Sequence, residues 1–231
     1  MSRSRNHASP PRPPTRSAAV DASESRSARK GRTRQALLDE TLALVSDRSF
    51  ASLSLREVAK AAGIVPTAFY RHFASMEDLG VTVVEDSMRV LRKTLREGRR
   101  DLATRNAVPT VKSSVAILVT QVRENEEQFR FLIREQHGGV SEIRRAIDTE
   151  LRLFVKELAI DLSRIPELAH WGADDLELAA DLMVNVLLQA VAEMLEANRR
   201  DNGDDREVTA RSERKLVMVI LGMNSWRTSR Q

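Results

Sequence analysis

The amino-acid sequence predicts an all-α fold, and three observations support that expectation. Leu, Ala, Arg and Glu are abundant, while the 231 residues include only 9 Gly and 7 Pro. After residue 31, apolar residues recur every three or four positions, which is the spacing of amphipathic helices. No stretch shows the alternating period of a strand between hairpin turns. A chain of this length can bury a sizeable core in one or two small domains.

Residues 1–30 form a segment of different composition, rich in Ser, Pro, Ala and Arg. Through residue 31 the chain carries seven basic and two acidic side chains, a net charge of +5, which leaves −1 for the other 200 residues of a chain whose total is +4. The segment has too few apolar residues to fold alone, and it lacks the apolar region of a signal peptide. We predict a disordered basic arm, which either contacts DNA phosphates and the minor groove or is a solvated tail.

Residues 54–73 predict two short helices joined by a tight turn. Ser54 followed by Glu57 forms a capping box, so the first helix begins there. Gly63 suits the left-handed backbone conformation that ends a helix. Pro66 suits the first position of the second helix, because an N–H group there would have no helical partner.

The second of these helices has one aromatic side and one polar side. Phe69 and Phe73 share a face at a spacing of four residues. At about 100° per residue, Thr67, Tyr70 and Arg71 point away from that face. Two short helices with a tight turn are the helix-turn-helix geometry, whose second helix enters the major groove of DNA. The sequence therefore predicts duplex DNA as a partner.

Residues 32–80 resemble the DNA-binding domain of TetR-type transcriptional regulators. The likeness of the first helix rests on Arg34, Leu37, Leu38, Leu42 and Val45, and that of the next two on Leu55 to Ala59 and Phe69 to Phe73. More narrowly, the chain is similar to the FabR and DesT repressors of unsaturated fatty-acid synthesis. That likeness lies in residues 49–59, 66–67 and 69–73, in residues 129–135 and in residues 150–159.

The facing directions and the family resemblance together assign DNA contacts. Thr67 and Tyr70 are expected near base edges or phosphates, and Arg56 near a guanine or a phosphate. The full predicted set is Arg32, Arg34, Ser54, Arg56, Thr67, Tyr70, Arg71 and His72. The resemblance implies that residues 31–80 form the DNA-binding domain and residues 81–231 a helical effector-binding and dimerisation domain, with about nine helices expected.

Amphipathic helices follow the DNA-binding segment. They are predicted over residues 75–100, 109–124, 126–136, 141–163, 174–198 and 206–226. The last two carry wide apolar faces, for example at Leu182 and Val186 and at Leu216 and Ile220. The resemblance implies a homodimer through these two helices, which a two-fold palindromic operator also requires. The alternative is that both faces are ordinary core.

The resemblance also implies an apolar effector cavity for a long-chain acyl-CoA or acyl-carrier-protein thioester. Candidate lining residues are Val115, Phe129, Leu132, Phe154 and Val184. Candidate contacts for the carrier phosphates are Arg130, Arg134, Arg144 and Arg145. Residues of these types are more often plain core or part of a solvated helix face.

Other classes of protein are disfavoured. The chain has no Cys, and its four His lack the spacing of a metal site. Phosphate-binding loops, nucleophile elbows and zinc-protease motifs are missing, so we expect no catalytic residues, no cofactor and no enzymatic activity. Apolar runs are short and interrupted by charges, so we expect a bacterial cytoplasmic protein rather than a membrane protein.

Three rival functions stay open at this point. The first is a repressor of an efflux or other operon that senses a different small hydrophobic ligand, although an aromatic content of 4% argues against a cage for aromatic drugs. The second is a DNA-bound adaptor that recruits a protein partner. The third is a helical scaffold without a DNA role, which leaves the polar face of the second short helix unexplained.

Overall fold

The computed structural model describes residues 16–98, 107–199 and 205–226. These described ranges form nine α-helices and two short 3-10 helices. The α-helices are α1 (Arg16–Leu44), α2 (Leu55–Ala61), α3 (Pro66–Phe69), α4 (Met76–Gly98), α5 (Ala107–Glu124), α6 (Glu126–Glu135), α7 (Ser141–Ser163), α8 (Ala173–Arg199) and α9 (Asp205–Ser225). The predicted all-α fold class is confirmed.

A head made of α1, α2, α3 and the start of α4 surrounds one apolar cluster. Leu37, Val58, Phe69 and Leu79 are fully buried in it. The same cluster continues into the rest of the molecule through Phe131, at the centre of α6. Because burying a large apolar side chain contributes roughly 1.5–3 kcal/mol, this shared core resists separation of the head from the helices behind it.

The first helix begins at Arg16, inside the segment that was predicted to be a disordered arm. Residues 16–30 contain no Pro, and they are rich in Ala, Ser and Arg, which a helix accommodates at low cost. The prediction of disorder for 16–30 was therefore wrong, since it weighed the lack of a core and overlooked the continuation of α1. Residues 1–15 of the predicted arm lie outside the described residues.

The remainder of the chain forms a body in which α4, α5, α6, α7, α8 and α9 pack side by side. The most extensive packing joins α7 to α8, α8 to α9, α4 to α7 and α5 to α9. Helix α7 spans the predicted range, and the other helix ends of the body differ from prediction by at most two residues. The short 3-10 helix Pro166–Leu168 was not predicted. Helix α4 belongs to both units and links them.

An arginine of α6 fastens the body to the end of α1. The Arg134 guanidinium donates hydrogen bonds to three carbonyl oxygens, those of Val45 at 2.6 Å, Arg48 at 2.8 Å and Ser46 at 3.0 Å. These carbonyls lie just beyond the C-terminal end of α1, where helix partners run out and a cation is favoured. The head is therefore held to α6 by directional bonds as well as by apolar contacts.

The neighbouring Glu135 makes a second polar contact across the same junction. Its side chain is only 1% exposed. One carboxylate oxygen accepts a hydrogen bond of 2.9 Å from the Phe50 backbone N–H, at the start of the 3-10 helix Phe50–Ser52. The junction between head and body is thus centred on two consecutive residues of α6.

Helix α8 is the one helix in the described part of the chain that is long and apolar enough to cross a membrane. The apolar stretch of α8 is Ala173–Ala197, and 44% of its most apolar window is buried within the fold. Ala180 and Met194 illustrate that burial, with 0% and 1% of their surfaces exposed. The helix has the features of a core helix.

Candidate DNA-binding surface and effector cavity

Helix α2 begins with the predicted capping box. The Ser54 hydroxyl accepts a hydrogen bond of 3.3 Å from the Glu57 N–H, and the Glu57 carboxylate accepts one of 3.0 Å from the Ser54 N–H. Arg48 forms an ion pair of 3.0 Å with the same carboxylate. The Ser54 backbone N–H first, and then Arg48, hold the pKa of Glu57 below its usual value. Ser54 therefore serves to start α2, whether or not it also meets a DNA phosphate.

The turn between α2 and α3 depends on Gly63. Its φ of +68° is in the left-handed region, where a side chain is strained. The Ile64 N–H donates a hydrogen bond of 2.9 Å to the Ala59 carbonyl, which closes the end of α2. This geometry confirms the tight glycine turn expected from the sequence.

Helix α3 presents its two predicted sides. Phe69 is fully buried and Phe73 is 2% exposed, with ring centroids 5.8 Å apart. Tyr70 is 64% exposed, and Thr67 and Arg71 are also exposed. The regular helix is only four residues long, but the Phe73 N–H still donates to the Phe69 carbonyl at 3.2 Å. The last turn therefore keeps the helical facing directions.

Basic side chains surround α3. The Arg34 guanidinium lies 4.5 Å from the centroid of the Phe73 ring, a cation–π contact that ties α1 to α3. Arg32 and Arg56 are exposed, with their side chains turned to solvent. The structure thus places Arg34 at the edge of α3, where the contact with Phe73 gives it a structural role.

His72 lies in the positive electrostatic potential of this surface. Partial burial first, and then the charges of Lys30, Arg34 and Arg71, hold the pKa of His72 below its usual value of 6.5. Its Nδ1 atom is buried and has no hydrogen-bond partner in the described part of the chain. Three cations from α1 and the end of α3 thus converge on one imidazole, which is the electrostatic setting expected beside a phosphate.

Val65 belongs to this surface and was not predicted. It precedes Pro66, starts α3, and is 64% exposed. An exposed apolar side chain at this position suits contact with a thymine methyl group in the major groove. Its place directly before the proline that opens the second helix was the signal in the sequence that could have identified it.

A separate apolar slot lies inside the body. It has a volume of about 50 Å³. Four of the five predicted cavity residues, Phe129, Leu132, Phe154 and Val184, line it. Val115 does not line the slot and is instead fully buried in the cluster between α5, α7, α8 and α9. The other lining residues are Met88, Leu91, Leu118, Ile133, Gln136, Ile147, Leu151, Leu187, Leu188 and Val191.

The arginines considered for carrier phosphates have partners within the fold. Arg130 pairs with Glu126 at 2.6 Å and also reaches the Leu195 carbonyl. Arg134 caps the end of α1, as described above. Arg144 donates to the Gly138 carbonyl, and Arg145 to Ser141. These internal contacts disfavour the predicted phosphate contacts, because a new partner would have to replace them.

The apolar faces of α8 and α9 divide between core and surface. On the two helices predicted to form the dimer, Ala190, Met194, Leu216 and Met223 are buried within the subunit. Leu182 is 49% exposed, and Val186, Val217, Val219 and Ile220 are half-buried. The same two helices also expose Leu178, Met218 and Leu221, and Trp226 directly after α9 is half exposed. A wide apolar surface therefore remains on the outer side of the two helices.

No cluster of three or more His, Asp or Glu suitable for a metal ion occurs among the residues that the structure describes. His137 and His170 are both exposed. The structure thus offers a DNA-facing surface and an apolar slot as its two candidate functional regions.

Two family models match the chain. The model described as "Bacterial regulatory proteins, tetR family" matches residues 37–81, which include α2 and α3. The model described as "Tetracyclin repressor-like, C-terminal domain" matches residues 109–221, most of the body. Together they cover about two thirds of the chain.

Solved structures share this arrangement of helices. FadR of Bacillus halodurans, a fatty acid degradation regulator, is 17% identical with a TM-score of 0.65, over 83% of this chain and 96% of that one. FadR of Bacillus subtilis in complex with stearoyl-CoA is 16% identical with a TM-score of 0.60, over 81% and 98%. NemR of E. coli in its reduced form is 20% identical with a TM-score of 0.59, over 81% and 94%. At such identities the likeness concerns the fold alone.

Proposed function

We propose that this chain, which belongs to the TetR family of transcriptional regulators, is a homodimeric repressor of genes for unsaturated fatty-acid synthesis. It acts in the bacterial cytoplasm on a palindromic operator, and it responds to a long-chain acyl thioester. Regulation of transcription is not an enzymatic class of function. The single observation that carries the proposal is the combination of an exposed polar α3 with an aliphatic slot behind it.

The DNA-binding part is supported by the chemistry of the exposed face. Thr67, Tyr70 and Arg71 supply hydroxyl and guanidinium donors, and Val65 supplies an apolar contact. Such groups distinguish base pairs in the major groove. Phosphate contacts come from Arg32, Arg56 and the cations around His72. Such contacts position the helix on the duplex and make the binding affinity depend on salt.

The choice of effector is supported by the lining of the slot. Leu, Ile, Val and Met residues make up most of it, with Phe129 and Phe154 as its two aromatic residues. Such a surface fits an aliphatic chain better than a stacked aromatic drug. The fold shared with a FadR bound to stearoyl-CoA is compatible with that ligand class. The synthesis genes are suggested by the resemblance to FabR and DesT.

The proposed dimer uses α8 and α9. Large apolar side chains are exposed at Leu178 and Leu182 of α8 and at Met218 and Leu221 of α9. Large exposed apolar patches mark interfaces, and a two-fold dimer matches a two-fold operator. The half-sites would then lie about 34–36 Å apart, one turn of DNA.

The switch would act through the helices that contact both units. Met88 and Leu91 of α4 line the slot, while Leu79 of the same helix is in the core of the head. The volume of the slot, about 50 Å³, is smaller than that of a long acyl chain. Binding therefore requires neighbouring side chains or helices to move. Movement of α4 and α6 would tilt each head and change the spacing of the two α3 helices, which lowers operator affinity.

The test is fluorescence anisotropy of the full-length protein on promoter duplexes. Probes from a fatty-acid synthesis promoter and from a fatty-acid degradation promoter are compared with a scrambled duplex, with and without saturated and unsaturated acyl-CoA. Salt-sensitive binding to the synthesis probe that changes with the acyl chain supports the proposal. Preference for the degradation probe would reassign the genes, and indifference to every thioester would overturn the lipid effector.

A second candidate keeps the DNA-binding role and changes the effector. The small slot volume of about 50 Å³ favours a compact hydrophobic ligand over a long chain if the helices do not yield. In that case the protein is a TetR-type repressor of an efflux or other operon. Release from the operator by short hydrophobic compounds, and not by long-chain thioesters, would identify this function.

A further inference from the structure

A second, larger cleft lies between the head and the body. It has a volume of about 280 Å³ and is bordered by α1, α4, α5 and α6. Leu91, Phe129 and Leu132 line both this cleft and the apolar slot, so these three side chains form the boundary between the two spaces. A ligand that displaces them can extend from one space into the other, with its apolar part in the slot and its polar part in the cleft.

Primary amides give the cleft its chemical character. Gln35 of α1, Gln121 of α5, Asn125 between α5 and α6, and Gln128 of α6 line it together. Three of them have a partner within the fold, since Gln35 donates to Asp39 at 2.8 Å, Gln121 to Glu124 at 3.1 Å and Asn125 to the Gln121 carbonyl at 3.1 Å. A side-chain amide has two N–H donors and an acceptor oxygen, so each keeps further hydrogen-bonding capacity. Gln128 is half-buried and makes no side-chain hydrogen bond to the described residues, so its full hydrogen-bonding capacity is available to a ligand.

The charges of the cleft disfavour an anionic ligand. Asp39 and Asp86 lie in its wall, and Arg89 is the cation among the described lining residues. Arg89 already forms an ion pair of 2.8 Å with Asp86. A phosphate or a free carboxylate placed here would meet a net negative wall, whereas a neutral amide or hydroxyl group would not.

We propose that this amide-lined cleft binds the neutral amide-bearing arm of an acyl thioester, whose chain enters the apolar slot. The inference rests on the proposed lipid effector and adds where its polar part is recognised. An amide arm finds complementary donors and acceptors in the cleft, while any carrier phosphates stay outside in solvent. Because α1 supplies Gln35 and Asp39, a ligand in the cleft touches the DNA-binding head directly.

The experiment is isothermal titration calorimetry of the full-length protein with ligands that share one chain and differ in the head group. The neutral N-acetylcysteamine thioester of decanoic acid is compared with decanoate and with decanoyl-CoA. We expect the neutral thioester to bind at least about tenfold more tightly than decanoate, because its amide forms hydrogen bonds with the neutral side-chain amides of the cleft. Decanoyl-CoA is expected within about threefold of the neutral thioester, since its phosphates remain in solvent.

Two variants separate the cleft from the slot. Gln128→Met keeps the side-chain length and removes the amide, so it should weaken the thioester about tenfold and leave decanoate unchanged. Leu188→Phe narrows the slot and should weaken all three ligands alike. Thermal melting and operator binding check that each variant is folded. If Gln128→Met does not fold, Gln121→Met serves as the second cleft variant.

The outcomes distinguish the two proposals. If the wild-type protein binds the thioester and Gln128→Met and Gln121→Met bind it equally well, the cleft assignment is overturned and the lipid effector stands. Decanoyl-CoA that binds more than about tenfold more tightly than the neutral thioester also overturns it, because the phosphates would then be held by the protein. A wild-type protein that binds no thioester overturns the proposed effector itself and the cleft assignment with it.

Discussion

The head and the body of this protein are both built from α-helices, but they differ in the open space that borders their buried side chains. In the head, Leu37, Val58 and Phe69 are fully buried in one apolar cluster, and they line neither the slot nor the cleft. In the body, Phe129, Leu132 and Phe154 are also buried, yet they surround an open slot and adjoin a larger cleft. The contrast shows that these buried side chains of the head pack against one another, whereas those of the body also border open space.

The polar junction belongs to neither unit alone. Arg134 and Glu135 come from the body, and their partners are backbone groups of the head. Phe129 and Leu132, one turn earlier on the same helix, line both cavities. Helix α6 therefore joins the lining of the two cavities to the end of α1, so we expect a movement of α6 at the slot to reach α1.

The largest expected effect compares a head phenylalanine with a body phenylalanine. Phe69→Ala should destabilise the protein by about 3–5 kcal/mol, because it leaves a cavity in a close-packed core. Phe154→Ala should cost less, since Phe154 already borders the slot and part of its contact surface is open. Chemical denaturation of both variants measures the difference. Equal losses would contradict the contrast in packing between the two units.

The next effect tests the junction. Arg134→Met keeps much of the side chain and removes the hydrogen bonds to the carbonyls of residues 45, 46 and 48. We expect a loss of about 1.5–3 kcal/mol in stability, the range for hydrogen bonds to a charged group. Arg145→Met is the matched control, because Arg145 bonds only within its own helix. A junction that matters for signalling should also show weaker coupling between effector and operator in Arg134→Met.

The sequence predicted the head better than the body for a physical reason. In residues 54–73, capping, the glycine turn and the aromatic spacing are local, so each is visible within a few residues. The slot and the cleft arise where helices distant in sequence meet, and side-chain volume there depends on packing that no local pattern records. Val115 shows this limit. It recurs at the same helical spacing as residues that line the slot, yet its side chain lies in another cluster.

The partners of the arginines were hidden for the same reason. Nothing around Arg134 in the sequence indicates that it caps a helix 86 to 89 residues away. The start of α1 illustrates the opposite error, since a segment with Val20 as its one large apolar residue was expected to be disordered and instead extends a helix. Helical continuity costs little once one end is anchored.

A third prediction concerns the reading face of the head. Thr67→Ala and Tyr70→Phe should each weaken specific operator binding by about 1–3 kcal/mol and leave the melting temperature unchanged, since both side chains are exposed. Arg56→Gln is the comparison variant, because it should weaken operator and scrambled DNA alike and reduce the salt slope by about 1. Fluorescence anisotropy across a salt series measures both quantities. Unchanged operator affinity in Thr67→Ala and Tyr70→Phe would remove α3 as the reading element.

The smallest expected effect is the pH dependence of the head. His72 has a pKa below 6.5 because of burial and the charges of Lys30, Arg34 and Arg71. The folded protein alone therefore loses stability as the pH falls below 6.5 toward that lowered pKa, because the unfolded chain binds the proton more readily. A DNA phosphate beside His72 would stabilise the protonated imidazole and raise its pKa, so operator affinity should rise a few-fold over the same window. His72→Gln should flatten both trends. A wild-type affinity that is independent of pH while the stability still falls would place His72 away from the DNA backbone and leave it a purely structural member of the head.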